Sequence, residues 1–298
     1  MNTPAFRIVS LTLGFAIGIL PISSALDTDI YRTWTNREGK SIEARLKTKS
    51  DENVTLILRN GKSYDVALAN LSQTDIEWLD SQKASDAQAS LDEAGLMIQP
   101  LMTKPGNLIF EDTLAEKTEG WKAANGQWEV VDGALQGMEL EADDHAATYK
   151  RKINFQNAII QYSFKINGAR ATTLSVNDDV DHVCRVLFNE RGLSTQKDDH
   201  DHGGPDTAVK FTTHEMTFDP EKWHTVLIEI HGDTLLAQVD DEDHVSFGAH
   251  ELIAEVEKAS IGFTIAGESV SFRNLKIWDA HPNEGWESTR KRLERKLD

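Results

Sequence analysis

Ala158-Ile159-Ile160-Gln161-Tyr162-Ser163-Phe164-Lys165-Ile166 alternates with period two: Ile160, Tyr162, Phe164 and Ile166 fall on one face, and Gln161, Ser163 and Lys165 on the other. A β-strand lays successive side chains on opposite faces, so this run predicts one apolar and one wet surface. Similar runs recur at Trp128–Val131, Thr172–Val176, His182–Phe188, Val209–Thr213, Trp223–His231, Thr234–Val239, Lys258–Thr264 and Ser269–Trp278. Gly192–Gln196 should pair with His182–Phe188 as a hairpin, and Gly232-Asp233 should form a tight turn. Many strands without a sustained helix predict an all-β jelly-roll sandwich over residues 107–280.

Upstream, Arg7 precedes an apolar stretch from Ile8 to Ile22, and Ser23-Ser24-Ala25 offers small residues for cleavage. This reads as an export signal over 1–25, giving a periplasmic or secreted product. The stretch is broken by Gly14, Gly18 and Pro21, and no later segment is expected to span a bilayer. The single cysteine, Cys184, excludes an intramolecular disulfide and sits in a strand-like run as a small buried hydrophobe. A net charge of −18 argues against nucleic acid and against anionic lipid, and leaves neutral glycans, metal cations and basic partners.

Residues 27–82 form a separate small module with expected strands at Tyr31–Thr35, Ser41–Lys49, Asn53–Leu58 and Ser63–Leu68. Asn60-Gly61 predicts a two-residue hairpin turn with both residues at positive φ. Ser72 is a helix N-cap with Asp75 three residues on, and Leu71 and Ile76 are placed as a hydrophobic staple. Residues 83–106, rich in Ala, Ser, Asp and Gln before Pro100 and Pro105, read as a partly helical linker rather than as core. A basic amphipathic tail over 281–298 is expected to pack on the protein's own acidic surface or to dock a partner.

Arg32-x-Trp34-Thr35, Gly39-Lys40-x-Ile42-x-Ala44, Val54-x-Leu56, Asn60-Gly61-Lys62 and Leu68-x-x-Leu71-Ser72-x-x-Asp75 resemble the Sla-one homology domain. That resemblance implies an SH3-like barrel and a protein- or peptide-docking role; Trp34 is then either a core residue, the commoner outcome, or a peptide contact. Further along, Phe110-x-Asp112, Gly120-Trp121, Gly126-x-Trp128-x-Val130-x-Asp132-Gly133-x-Leu135, Trp223-His224-x-Val226, Ile261-Gly262-Phe263 and Ser271-Phe272-Arg273-Asn274-Leu275-x-Ile277 resemble the concanavalin A/laminin G-like jelly roll. The similarity is to its 3-keto-disaccharide hydrolase branch, which implies action on an oxidised disaccharide.

Lys197-Asp198-Asp199-His200-Asp201-His202-Gly203-Gly204-Pro205-Asp206 concentrates four carboxylates and two imidazoles in ten residues. Carboxylate oxygens with imidazole nitrogens suit a divalent ion such as calcium, so Asp198, Asp199, Asp201 and Asp206 are candidate metal ligands. A solvated acidic loop is the commoner identity for such a run. Asn177-Asp178-Asp179-Val180-Asp181-His182 is a second acidic turn, expected at the same end of the sandwich, and Asp240–His244 reads as a solvated hairpin tip.

A hydrolase of the usual kind places two carboxyls across the glycosidic bond. The Glu-x-Asp-x-x-Glu strand motif of sandwich glucanases is absent here. A 3-keto sugar can lose its glycosidic oxygen by elimination, which needs a base and, in a metal-assisted Asp/His loop, a divalent ion to polarise the ketone; His200 and His202 are the candidate bases. Trp121, Arg185, Lys197 and His224 are the candidate sugar contacts, with Trp128 and Trp223 assigned to the core. Three functions remain open: a glycan-recognising protein with a docking module, an enzyme acting on 3-keto-glycosides, and a structural envelope protein.

Overall fold

The computed structural model describes residues 31–50, 52–81, 95–204 and 207–297; the expected export signal, Asp206 and residues 83–94 of the expected linker lie outside them. The chain divides into two units, residues 1–86 and 87–298. Among the described residues no helix is long and apolar enough to cross a membrane.

In the first unit, β1 (Arg32–Thr35), β2 (Ser41–Lys49), β3 (Asn53–Leu58) and β4 (Ser63–Ala67) form an antiparallel meander in chain order. A helix, α1 (73–81), follows. Trp34, Ala44, Leu46, Val54, Leu56, Leu71 and Leu79 make its core, so Trp34 takes the core role. Asp75 organises the helix start: its carboxylate accepts from Thr35 N at 2.7 Å, Ser72 Oγ at 2.8 Å and Arg32 Nη2 at 2.7 Å. The Arg32 guanidinium lies against both Trp34 and Trp78. At the β3–β4 turn the structure differs from expectation. Leu58 and Lys62 pair, and only Gly61 has positive φ, so Asn60-Gly61 belongs to a longer loop with Gly61 alone in the left-handed region.

The second unit is a thirteen-stranded antiparallel sheet folded on itself. Its strands are β5 (Thr103–Asp112), β6 (Trp121–Asn125), β7 (Gln127–Val131), β8 (Ala134–Met138), β9 (Ala147–Phe155), β10 (Ala158–Asn177), β11 (His182–Asn189), β12 (Gly192–Lys197), β13 (Val209–His214), β14 (His224–His231), β15 (Thr234–Val239), β16 (Val245–Ala249) and β17 (Lys258–Pro282). Two short helices, α2 (Glu251–Glu255) and α3 (Trp286–Leu297), complete it.

Two strands that the hydrophobic pattern splits into four are continuous: β10 has 20 residues and β17 has 25. They pair over the whole of β10, from Ala158↔Asp279 to Asn177↔Ser260, and slip register between Gln161 and Ser163 and again between Asn167 and Ala171. Gly168 (φ 91°) and Gly267 (φ 95°) stand at this corner, in a conformation that other residues rarely adopt. Before the corner β10 carries β14, β15 and β16; beyond it β10 carries β11, β12 and β13. The two halves face one another across one core, where Ile160, Tyr162 and Phe164 from the first meet Leu174, Val186 and Phe263 of the second. Phe263 stacks on Phe272 at 4.2 Å, and Tyr162 meets Phe263 edge-on at 5.2 Å. Cys184 is buried here as expected, and burial pushes its thiol up to about 12.

The outer face of the first half is not wet. Leu96 and Ile98 pack on Ile159, Leu227 and Trp278, and Leu101 and Met102 pack on Leu236, Val245 and Phe247. Residues from 95 onward are therefore part of the sandwich, which corrects their reading as linker. Polar side chains on the covered face hold the segment down. Gln161 accepts from Met97 N at 2.6 Å. The fully buried Glu229 accepts from the backbone of Leu101, Met102 and Thr103 and from Thr103 Oγ1 at 2.6–2.9 Å. The tail docks on its own chain: Leu293 is buried, Trp286 packs on Phe247, and Lys296 reaches Asp243 at 2.6 Å. The tip of the Asp240–His244 turn, Asp241 to Asp243, is exposed as expected, and Lys296 of α3 reaches it across solvent.

Candidate functional site

Beyond the corner, the outer face of the second half-sheet carries polar side chains. The strand register sets Gln196, Arg185, Ser175, Gly262 and Lys150 in one row across five strands. Small residues at its centre, between two long cations, make a trough. A Cβ on Gly262 would meet Ser175 Oγ at 2.9 Å and Lys150 Cγ at 3.2 Å, so the close approach of these strands needs glycine there.

One step towards the acidic turns, Asn177 pairs with Ser260 on one side and His182 on the other. The Asn177 Nδ2 donates to Ser260 O at 3.4 Å and lies 3.1 Å from Ser260 Oγ, which turns its Oδ1 towards His182 Nδ1. A side-chain carbonyl only accepts, so Nδ1 carries the proton and Nε2 presents a bare lone pair. Burial, then the charges of Arg185 and Lys150, lower the His182 pKa to about 4. The imidazole is therefore neutral at physiological pH.

Asp198 lies beside this group. Its carboxylate accepts from Gln196 Nε2 at 2.7 Å and pairs with Arg185 Nε at 2.9 Å. Burial raises its pKa, with Arg185 opposing. The two acidic turns meet at this end of the sheet, as the strand alternation implied. His200 Nε2 stands 2.8 Å from Asp178 Oδ2, and His202 Nε2 stands 2.6 Å from Asp181 Oδ2. Burial pushes the Asp178 and Asp181 carboxyls up, but backbone N–H donors and the facing histidines outweigh it and hold both below the usual range.

The site residues expected from sequence scatter across several environments. Arg185, Asp198, His200 and His202 gather around this end. Asp201 accepts from Gly203 N at 2.9 Å in a local turn. Among the described residues, no group of three or more His, Cys, Asp or Glu side chains is disposed to hold a metal ion. Asp198 is held by Arg185 instead, and the buried Asp199 Oδ1 has no hydrogen-bond partner.

Lys197 is fully buried and donates to Thr207 O at 3.2 Å, so it faces the interior rather than a ligand. Its strand position opposite Cys184 sends it inward. His224 is a core histidine: Nδ1 is 2.8 Å from Asp240 Oδ2, and its ring meets Phe164 and Phe218. Trp121 stacks on Tyr149 and Phe263 at the core edge and donates to Asp112 at 2.9 Å. It is not a free platform, because β6 turns its ring inward. Trp223, by contrast, is half-buried on the outer face under the Arg273 guanidinium, 4.0 Å from the ring centroid, and not in the core.

His182 escapes sequence reading for a physical reason. Strict alternation puts His182 and Arg185 on opposite faces, but the ladder passes from Val176↔Cys184 to Asn177↔His182. Val183 is the extra residue of a β-bulge, and the bulge swings His182 onto the face of Arg185. The only local hint is the Asn177–His182 acidic turn that precedes the strand.

No curated protein sequence matches the chain. Among solved structures, a carbohydrate-binding module of Bacillus subtilis is 18% identical, over 55% of this chain and 98% of that one, with a TM-score of 0.43. A galectin-like protein of Bacillus subtilis is 11% identical over 61% and 100%, with a TM-score of 0.48. The Bacillus licheniformis β-glucanase is 9% identical over 58% and 99%, with a TM-score of 0.44. A family model matches residues 108–278, from the middle of β5 to Trp278 in β17. On that match the chain belongs to the 3-keto-α-glucoside-1,2-lyase-like domain family.

Proposed function

We propose that the sandwich binds a 3-keto-glycoside in the trough between Arg185 and Lys150 and cleaves it by elimination across C1 and C2. The observation that carries this reading is His182, a neutral imidazole with Nδ1 committed to Asn177 and with Nε2 3.9 Å from Asp181 Oδ1, beyond hydrogen-bond reach, in the field of Arg185 and Lys150. A ketone at C3 makes the C2 hydrogen acidic. His182 Nε2 takes that proton, and the C–H electron pair becomes the enolate. The enolate then forms the C1–C2 double bond as the C1–O bond breaks. The departing oxygen acquires a proton, and His182 gives up the one it took.

A base of low pKa suits this step because its surroundings change during it. Arg185 and Lys150 depress the His182 pKa while the site is empty. Negative charge developing on the enolate oxygen offsets those cations, so the imidazole gains proton affinity as the transition state forms. Polarising the ketone, the part first assigned to a divalent ion, falls in this scheme to Arg185 and Lys150. Asp178–His200 and Asp181–His202 tie the two turns together and hold the strand start at His182.

The family match and the polar trough also support plain glycan recognition, with the elimination as its finer form. Export by the 1–25 signal and docking through the N-terminal unit belong to the same proposal. The test is release of nitrophenol from a nitrophenyl 3-keto-glucoside, with the unoxidised glucoside as control. Release from the keto substrate alone, lost in His182→Gln with binding retained, supports the lyase. If the wild type binds the keto-glucoside and releases nothing, recognition alone stands.

A further inference from the structure

Two adjoining cavities of the sandwich lie away from this trough. One of about 540 Å³ and an adjoining one of about 620 Å³ share Glu190, Arg191, Lys210 and Thr217. Both volumes fall in the range of small-ligand sites. Glu190 and Arg191 form the tip of the β11–β12 hairpin, and Arg170 stands at the corner of β10. His182 begins β11 and Asn189 ends it, which sets the cavity about 23 Å along the strand from the candidate base.

On a chain of net charge −18, this mouth is unusual in presenting Arg170, Arg191 and Lys210 together. Glu190 and Glu215 line the same pair of cavities, leaving one positive charge in excess. Glu139 reaches Arg170 only at 3.4 Å, through an exposed guanidinium. The floor is apolar, with Ile166 and the buried Phe218, and Asn189 adds an amide. Cationic forks above an apolar floor fit a sugar ring that carries a carboxylate: guanidinium binds carboxylate in bidentate fashion, and the ring C–H face covers Phe218.

We propose that this cavity is a second saccharide site, selective for a hexuronate unit and separate from the His182 trough. The probe is tri-galacturonic acid in isothermal titration, against neutral galactotriose and a sulfated galactose trimer. Tri-galacturonic acid should bind at least tenfold more tightly than either control. Arg191→Gln/Lys210→Gln should weaken it tenfold or more without changing the melting temperature, because both side chains are exposed. His182→Gln should leave this binding unchanged and thereby separate it from the lyase reading. No binding of tri-galacturonic acid, or equal binding of galactotriose, overturns the site. Equal or tighter binding of the sulfated trimer overturns the carboxylate assignment, and loss in His182→Gln overturns the separation.

Discussion

Asn177 turns its side-chain carbonyl to Nδ1 of His182, because its amide nitrogen is already committed to Ser260. That single orientation fixes the imidazole tautomer and leaves Nε2 available as a base. Where the amide group sits is a consequence of register, since Asn177 occupies the rung between Ser260 and His182.

A base acts only when unprotonated, so the pH dependence of cleavage should follow His182. In the free protein its pKa is about 4, and kcat/KM for a 3-keto-glucoside should rise to a plateau through that pH rather than through 6.5. Arg185→Met removes one of the cations that depress the imidazole and should move this acid limb upwards. His182→Gln should lower kcat by roughly 10²- to 10⁴-fold, the usual worth of a positioned base. A limb that stays put in Arg185→Met would show that His182 is not the titrating group.

The same depressed pKa predicts how stability depends on pH. An unfolded histidine takes up its proton near 6.5, whereas folded His182 does so near 4. Between those values the unfolded chain binds the extra proton, so stability should fall as pH drops from 6.5 to 4. His214, whose pKa is also lowered by burial, acts in the same direction, whereas the raised carboxyls of Asp198 and Glu229 take up protons in the folded state and act in the opposite one. The lowered carboxyls of Asp178, Asp181 and Asp240 add their loss only below about 3.8. Melting temperatures from pH 7.5 to 3.5 should show the first decline reduced in His182→Gln and the second unchanged.

Glu229 offers a test of how the 95–103 segment is held. Its carboxylate accepts four hydrogen bonds in a fully buried position, three of them from consecutive backbone N–H groups. Glu229→Gln puts an amide N–H against those donors and leaves some of them unpaired. A buried donor without a partner costs about 1–3 kcal/mol, which in a unit of this size corresponds to a fall in melting temperature of roughly 2–12 °C. A change within 1 °C would mean that apolar packing alone seats the segment.

How much was legible in the sequence depended on how local the determinants were. The strands of the small unit follow their period-two runs almost residue by residue, and the Ser72–Asp75 start of α1 is local chemistry. The pattern splits the long strands into halves because Gly168 and Gly267 interrupt it, although the ladder continues through them. Alternation alone makes the face of Gln161 wet, because nothing in its own strand reveals that Leu96 and Met97 lie over it. At the site, the Asp/His loop stood out by composition and does lie at the right end. His182 depends on a bulge, and a one-residue insertion in a ladder leaves no mark on the hydrophobic period.

The tail separates apolar from charged contributions to docking. Leu293 of α3 is buried against Phe247 and Leu236, whereas the Lys296–Asp243 pair is exposed on both sides. Leu293→Ala removes buried methyl groups and should cost about 2–3 kcal/mol, while Lys296→Ala should cost far less because solvent screens the pair. Chemical denaturation of the two variants reads both values directly. If the lysine change costs as much as the leucine change, α3 is held by charge, and its docking should then weaken in high salt. If only the leucine matters, the basic face of α3 contributes little to docking, and salt should leave stability nearly unchanged.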